Sequence, residues 1–260
     1  MAAPSPNPID APAHILALLD TLHATSLAQE AAIASPNSNG KVFSSDIVRD
    51  LNNNLPSNST STSTTDTKNR NAFDTLMLDK FIALDQGKCQ FMYQLITSMG
   101  ATNVIEAGTS FGVSTIYLAL AVSKVKNLTG KEGTVIATEK EESKAGVARG
   151  YWEQCGEMVS SQIDLRVGDL LETLNIDLPD KIDLLLLDIW SPLALPTLKT
   201  VQPHFRPGAV VLTDNTISGA KGYADLLAYM RDPSSGFRNM TLPFTNGFEM
   251  SVYMPSSSSA

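Results

Sequence analysis

The chain has 260 residues, 43% of them hydrophobic, and a formal net charge of -8 from 19 basic and 27 acidic side chains. That length supports one sizeable core, and an acidic chain without a Lys/Arg-rich run excludes a nucleic-acid backbone as its expected partner. Cys89 and Cys155 are the only cysteines, which argues for free thiols in a reducing, cytoplasmic setting rather than a disulfide framework. No apolar run is long enough to span a membrane, and the start Met1-Ala2-Ala3-Pro4-Ser5-Pro6 lacks the basic and apolar parts of a signal peptide.

Residues 11–33 predict a helix with Ile15, Leu16, Leu18, Leu19, Leu22 and Leu27 on one face and His23 and Glu30 outside it. Such a helix would cap the substrate side of a nucleotide site, pair two copies of the chain as a homodimer, or simply pack on the core. Residues 35–40 predict a loop and 43–51 a short helix. Residues 52–68 are rich in Ser, Thr and Asn, have no apolar period, and predict a surface loop. The chain therefore divides into N-terminal helices with this loop (1–70), an α/β domain (71–255) and a frayed tail (256–260).

Residues 72–84 and 89–99 predict two further helices, joined by a link that holds Lys88. From Asn103 the pattern alternates. Strands at 104–107, 134–138, 163–167, 182–187 and 209–212 are followed by helices at 113–123, 143–155, 170–174, 193–201 and 223–231. Two last strands, 237–242 and 248–254, have no helix between them. This order predicts a Rossmann-like, doubly wound, seven-stranded and mostly parallel sheet with an antiparallel C-terminal edge strand, preceded by extra helices. Leu184-Leu185-Leu186-Leu187 is apolar without alternation, as a central strand buried on both faces should be.

Ligands of such sheets bind beyond the carboxyl ends of the strands. There the sequence places Glu106 and Gly108, Glu139, Gly168-Asp169, Asp188, and Asp214-Asn215, an acid at the end of five consecutive strands. The first turn has the spacing Glu106-x-Gly108-x-x-x-Gly112. Ser110 stands where the dinucleotide fingerprint requires a glycine, so a nicotinamide cofactor is disfavoured. An amino-acid-bearing nucleoside fits better. Glu139 suits the hydroxyls of a ribose. Asp188, Asp214 and Asn215 are hard oxygen donors on neighbouring strands, a set that suits Mg²⁺ or another divalent cation.

These motifs, with Asp188-Ile189-Trp190, Phe205-Arg206-Pro207-Gly208, Thr213-Asp214-Asn215-Thr216 and the closing Gly247-Phe248-Glu249-Met250-Ser251-Val252-Tyr253, resemble the class I, S-adenosylmethionine (SAM)-dependent O-methyltransferases of the metal-dependent catechol and caffeoyl-CoA type. The resemblance covers residues 84–253. It implies SAM as cofactor, with Glu106, Gly108 and Ser114 around its methionine part, Glu139 on the ribose, and Asp169 and the Leu170 backbone by the adenine. It further implies a divalent ion on Asp188, Asp214 and Asn215, Trp190 lining an aromatic pocket, and Glu249 accepting from the hydroxyl that is not methylated. Asp188, Asn215 and Glu249 would be the catalytic residues, and the acceptor a small hydroxylated aromatic. The sequence departs from the family at Ser191, where a lysine commonly serves as general base. A serine hydroxyl cannot replace that amine. A SAM-fold protein that acts as a binding module, or that catalyses a reaction other than methyl transfer, is therefore the alternative.

Overall fold

The computed structural model of the chain describes residues 6–33 and 80–255. The expected helix at 43–51, the loop at 52–68, most of the expected helix at 72–84 and the tail lie outside the described residues.

The seven strands are β1 (Asn103–Ala107), β2 (Thr134–Glu139), β3 (Ile163–Val167), β4 (Ile182–Leu187), β5 (Phe205–Asp214), β6 (Phe237–Leu242) and β7 (Phe248–Tyr253). They form one sheet in the order β3-β2-β1-β4-β5-β7-β6. Strands β1 to β5 pair in parallel, and β7 runs antiparallel to both β5 and β6. The expected antiparallel closing pair is thus present, with the last strand adjoining β5 and β6 on the outside. The helices are α1 (Ala13–Ile33), α2 (Gln86–Met99), α3 (Val113–Thr129), α4 (Glu142–Cys155), α5 (Glu157–Ser160), α6 (Leu170–Thr173), α7 (Ala194–Val201) and α8 (Ala224–Arg231).

Strand β4 shows why the sheet is covered twice. Leu184 and Leu186 join one cluster with Ile15, Leu19, Met92, Ile96 and Ile116, whereas Leu185 and Leu187 join another with Leu198, Leu226 and Met230. Successive side chains of a strand point to opposite faces, so an unbroken leucine run needs helices on both. Helices α1 to α4 cover the first face and α7 and α8 the second.

Residues 80–85 are not helical, unlike the C-terminal end of the helix expected at 72–84. Their backbone donors are taken from outside: Phe81 N–H bonds Gln29 Oε1 at 2.8 Å and Ala83 N–H bonds Ser26 Oγ at 2.8 Å. Helix α1 thus anchors the segment leading into α2. Two of its residues differ from expectation. His23 is buried against the Tyr117 hydroxyl at 2.9 Å, and Leu27 is exposed. Ile15, Leu19 and Leu22 are buried within the chain itself, which gives α1 a packing role on the core.

Strand β5 begins at Phe205, four residues before the expected start, because the Arg206-Pro207-Gly208 turn lies within it as an irregularity opposite Ile182 and Leu184. That bend brings the Arg206 guanidinium onto Asp183 Oδ1, while Asp183 Oδ2 accepts from the N–H groups of Thr102 at 2.8 Å and Asn103 at 2.9 Å. One buried carboxylate therefore aligns the starts of β1, β4 and β5. Asp183→Ala should cost about 2–4 kcal/mol, because two backbone donors lose their partner away from water. Urea denaturation measures it, and a change below about 0.5 kcal/mol would contradict this role for Asp183.

Candidate functional site

Register sets the carboxyl edge of the sheet level: Ala107 lies beside Thr138 and Leu187, and Leu187 beside Thr213. The acids that follow these positions converge on one rim at the point where strand order reverses between β1 and β4.

Glu106 is fully buried at the end of β1. It accepts hydrogen bonds from Thr109 Oγ1 at 3.0 Å, Ser114 Oγ at 2.5 Å and Thr115 Oγ1 at 2.5 Å. Burial pushes its pKa up and the three hydroxyls oppose that. The carboxylate thus ties the strand to the turn and to the first residues of α3. Ser114 spends its single hydroxyl proton on Glu106, so in this arrangement it cannot donate to a cofactor carboxylate. The donors left for an anion are the backbone N–H groups of α3's first turn, which no side chain caps.

The turn itself is forced to be glycine. Gly108 has φ 92°, and a Cβ there would lie 2.1 Å from the Asp188 carbonyl oxygen. The ends of β1 and β4 are that close because Asp188 N–H bonds the Ala107 carbonyl at 3.0 Å. Gly112 has φ 77°, and a Cβ would meet the Trp152 indole, whose N–H donates to the Gly112 carbonyl at 3.0 Å. Glu139 closes the turn from the side, accepting from Ser110 N–H at 2.7 Å and Glu141 N–H at 2.9 Å. Asp169 caps α6 by accepting from Leu171 N–H at 2.8 Å, and Leu170 opens that helix.

Asp188 and Asp214 form the acidic centre. Asp188 is pushed up to about 8, first by burial and then by the charge of Asp214. Asp214 is raised by burial, with Lys88 opposing. Asn215 follows with φ 59°, a left-handed conformation that asparagine tolerates. Among the described residues no three His, Cys, Asp or Glu side chains form a metal-holding group, so any such site here consists of two carboxylates and an amide. Trp190 and Ile217, each two residues beyond a centre residue, are 38% and 64% exposed. Ser191 opens a 3₁₀ turn, Ser191–Leu193, with Pro192 behind it.

Sequence reasoning missed the cation of this centre. Lys88 Nζ lies 2.5 Å from Asp214 Oδ1 and 3.4 Å from Asp85 Oδ2, and the residue is only 1% exposed. Burial works against its charge, but Asp214, Asp85 and Asp188 outweigh that and hold its pKa above the ordinary lysine value. Lys88 was placed in a link, whereas α2 begins at Gln86 and carries it inward. The signal was its four-residue spacing to Met92 and Ile96, a lysine on a buried apolar stripe.

Glu249 is not brought to this centre. It pairs with Thr213, so it lies on the sheet face opposite Asp214, which pairs with Phe248. Its Oε1 accepts from Arg231 at 2.9 Å and its Oε2 from Thr241 at 2.5 Å. Both oxygens serve the packing of α8 and β6, and the expected contact with an acceptor hydroxyl is not supported.

Residues 105–216 match a family described as a methyltransferase domain. The chain is similar to a catechol O-methyltransferase from Mycobacterium tuberculosis, 30% identical over 138 residues that cover 53% of this chain and 58% of the relative. It is also similar to one from Niastella koreensis, 29% identical over 143 residues, 54% of this chain and 60% of the relative. The chain thus spans less than two thirds of the length of these relatives. An O-methyltransferase from Bacillus cereus in complex with SAH superposes with a TM-score of 0.56 at 19% identity, covering 90% of this chain and 99% of that one. At that identity the likeness is one of fold.

Gly108→Ala should destabilise the protein by about 3 kcal/mol or more, since both the left-handed φ and the Asp188 carbonyl exclude a methyl group; an unchanged melting temperature would refute the close approach. Asp188 yields a pH test. Its folded pKa of about 8 lies above the ordinary aspartate value of 3.8, so its contribution to stability is most favourable below the lower value and is lost as pH rises through the upper one. In metal-free protein, Asp188→Asn should therefore raise the melting temperature at about pH 9 and do so less at about pH 5. An equal effect at both would place Asp188 among ordinary carboxylates.

Proposed function

We propose that this chain, which carries a methyltransferase domain of the class I O-methyltransferase type, moves the methyl group of SAM to a hydroxyl of a small aromatic acceptor with adjacent oxygens, assisted by a divalent cation. The observation that carries the proposal is the shared lining of one cavity. Gly108, Thr109, Ser110 and Ser114 of the first turn and Asp188 of the acidic centre face the same space. A cofactor on the turn would thus lie beside an acceptor on the centre.

The residues fit SAM. Its carboxylate finds the uncapped N-terminus of α3, its ribose hydroxyls find Glu139, and its adenine the Asp169-Leu170 corner. The same space is also lined by Ile82, Ala83 and Leu84, in the segment that α1 anchors. The centre fits Mg²⁺ in donor chemistry, as Asp188, Asp214 and Asn215 offer hard oxygens and the two carboxylates raise each other's demand for positive charge. A catechol acceptor is supported by the two similar catechol O-methyltransferases and by the exposed apolar side chains of Trp190 and Ile217, two positions beyond Asp188 and Asn215 in the chain. The buried, unbridged thiols Cys89 and Cys155 support a reducing, cytoplasmic setting. Among the described residues no helix is long and apolar enough to cross a membrane.

In this scheme SAM supplies an electrophilic methyl, and the cation supplies Lewis acidity that lowers the pKa of an adjacent hydroxyl. The chain's own part is orientation. Glu106 fixes the turn, Glu139 and α3 hold the donor, and Trp190 lines the aromatic pocket of the acceptor. With no base assigned, the hydroxyl proton would pass to solvent as the O–CH₃ bond replaces the S–CH₃ bond, and much of the rate would come from near-attack geometry of the aligned reactants. Ser191 Oγ does not serve as that base.

A methyl-transfer screen with SAM tests the proposal across catechols, flavonoids, caffeoyl esters and singly hydroxylated phenols. Vicinal diols should react roughly tenfold faster or more than monophenols, with loss in EDTA and recovery in Mg²⁺. Calorimetric SAM binding with no methylated product from any acceptor would favour the binding-only alternative.

A further inference from the structure

Lys88 has no part in the scheme above, yet it is among the largest fully buried side chains of the protein. A buried ammonium is costly unless paired, and here its 2.5 Å partner is Asp214 Oδ1, one of the oxygens that would hold a divalent ion. Its Nζ lies over the Phe248 ring, 5.7 Å from the centroid, on the face of the sheet that carries Asp214. The position is also supplied locally. Lys88 sits in the first turn of α2, and Asp85 at the helix N-cap reaches the same ammonium at 3.4 Å. The charge is therefore held from two sides, in a space that a lysine on a flexible loop could leave.

We propose that Lys88 is the resident cation of the Asp188–Asp214 centre and sets its affinity for divalent metal by competing for Asp214. It is a positioning residue that acts through Asp214. A dication arriving at Asp188, Asp214 and Asn215 meets a fixed positive charge and must share or displace its hold on Oδ1. The wild-type protein consequently binds divalent metal weakly, and removing the ammonium tightens binding. The inference rests on the assignment of Asp188, Asp214 and Asn215 as the metal-holding residues.

Mn²⁺ binding, followed by electron paramagnetic resonance without acceptor, tests it on the full chain for the wild type, Lys88→Met, Lys88→Gln and Lys88→Arg. Lys88→Met and Lys88→Gln should bind Mn²⁺ roughly tenfold or more tighter than wild type, because a unit charge next to a dication at low effective dielectric is strongly repulsive. Lys88→Arg, which keeps the charge, should bind as weakly as wild type. Merely loosening the fold would weaken binding, so a gain separates competition from a structural role. Equal or weaker binding in both neutral variants overturns the inference and leaves the metal assignment standing. Wild-type binding in the submicromolar range that is lost in Asp188→Asn also overturns it, and needs no Lys88 variant to fold. If none of the four proteins binds Mn²⁺ and methyl transfer persists in EDTA, the metal assignment itself falls and the inference with it.

Discussion

The geometry of the site depends on how closely β1 and β4 approach at their carboxyl ends. A single backbone hydrogen bond, Asp188 N–H to the Ala107 carbonyl, joins them just where the chain must leave β1. The next residue can then be only glycine, and the turn beyond it has to be gripped from elsewhere. Glu106 supplies that grip through three hydroxyls, and Glu139 holds the outside through Ser110. Two acids that look like ligand contacts in the sequence are therefore also the clamps of the turn. A carboxylate with a spare lone pair can do both, whereas Ser114 has one proton and has already spent it.

Much of this was legible in the sequence. An unbroken leucine run announced a central strand, and acids at the ends of successive strands announced an acidic rim on one edge of the sheet, because both signals are local. The unreadable parts depend on partners far away in the chain. Nothing near residue 249 says that Arg231 and Thr241 will occupy both oxygens of Glu249, and a shift of one position along β7 would have turned it to the other face. The start of β5 was hidden because Arg206-Pro207-Gly208 reads as a turn, and only Asp183 across the sheet makes the arginine a reason to continue. Residues 80–85 carry helix-like apolar spacing, but α1 claims their backbone donors. Lys88 was visible as a lysine on an apolar stripe; what it touches was not.

The two faces of β5 divide the work. Asp214 points with Phe248 toward α2 and Lys88, where charge gathers around a candidate reaction centre. Thr213 points with Glu249 toward α8, where Arg231 bonds the carboxylate in a purely architectural pair. One strand thus carries a candidate functional acid, Asp214, beside Thr213, the cross-strand partner of the structural acid Glu249, the two separated by the pleat alone.

The bonds from α1 to the segment before α2 carry a consequence for how this chain can change over generations. Gln29 and Phe81 are hydrogen-bonded, and so are Ser26 and Ala83, so the stretch encoded between them begins and ends at one place. The entropy of closing such an excursion grows only with the logarithm of its length, and doubling it costs about 0.6 kcal/mol. A change in the length between those ends would therefore leave the two bonds themselves in place.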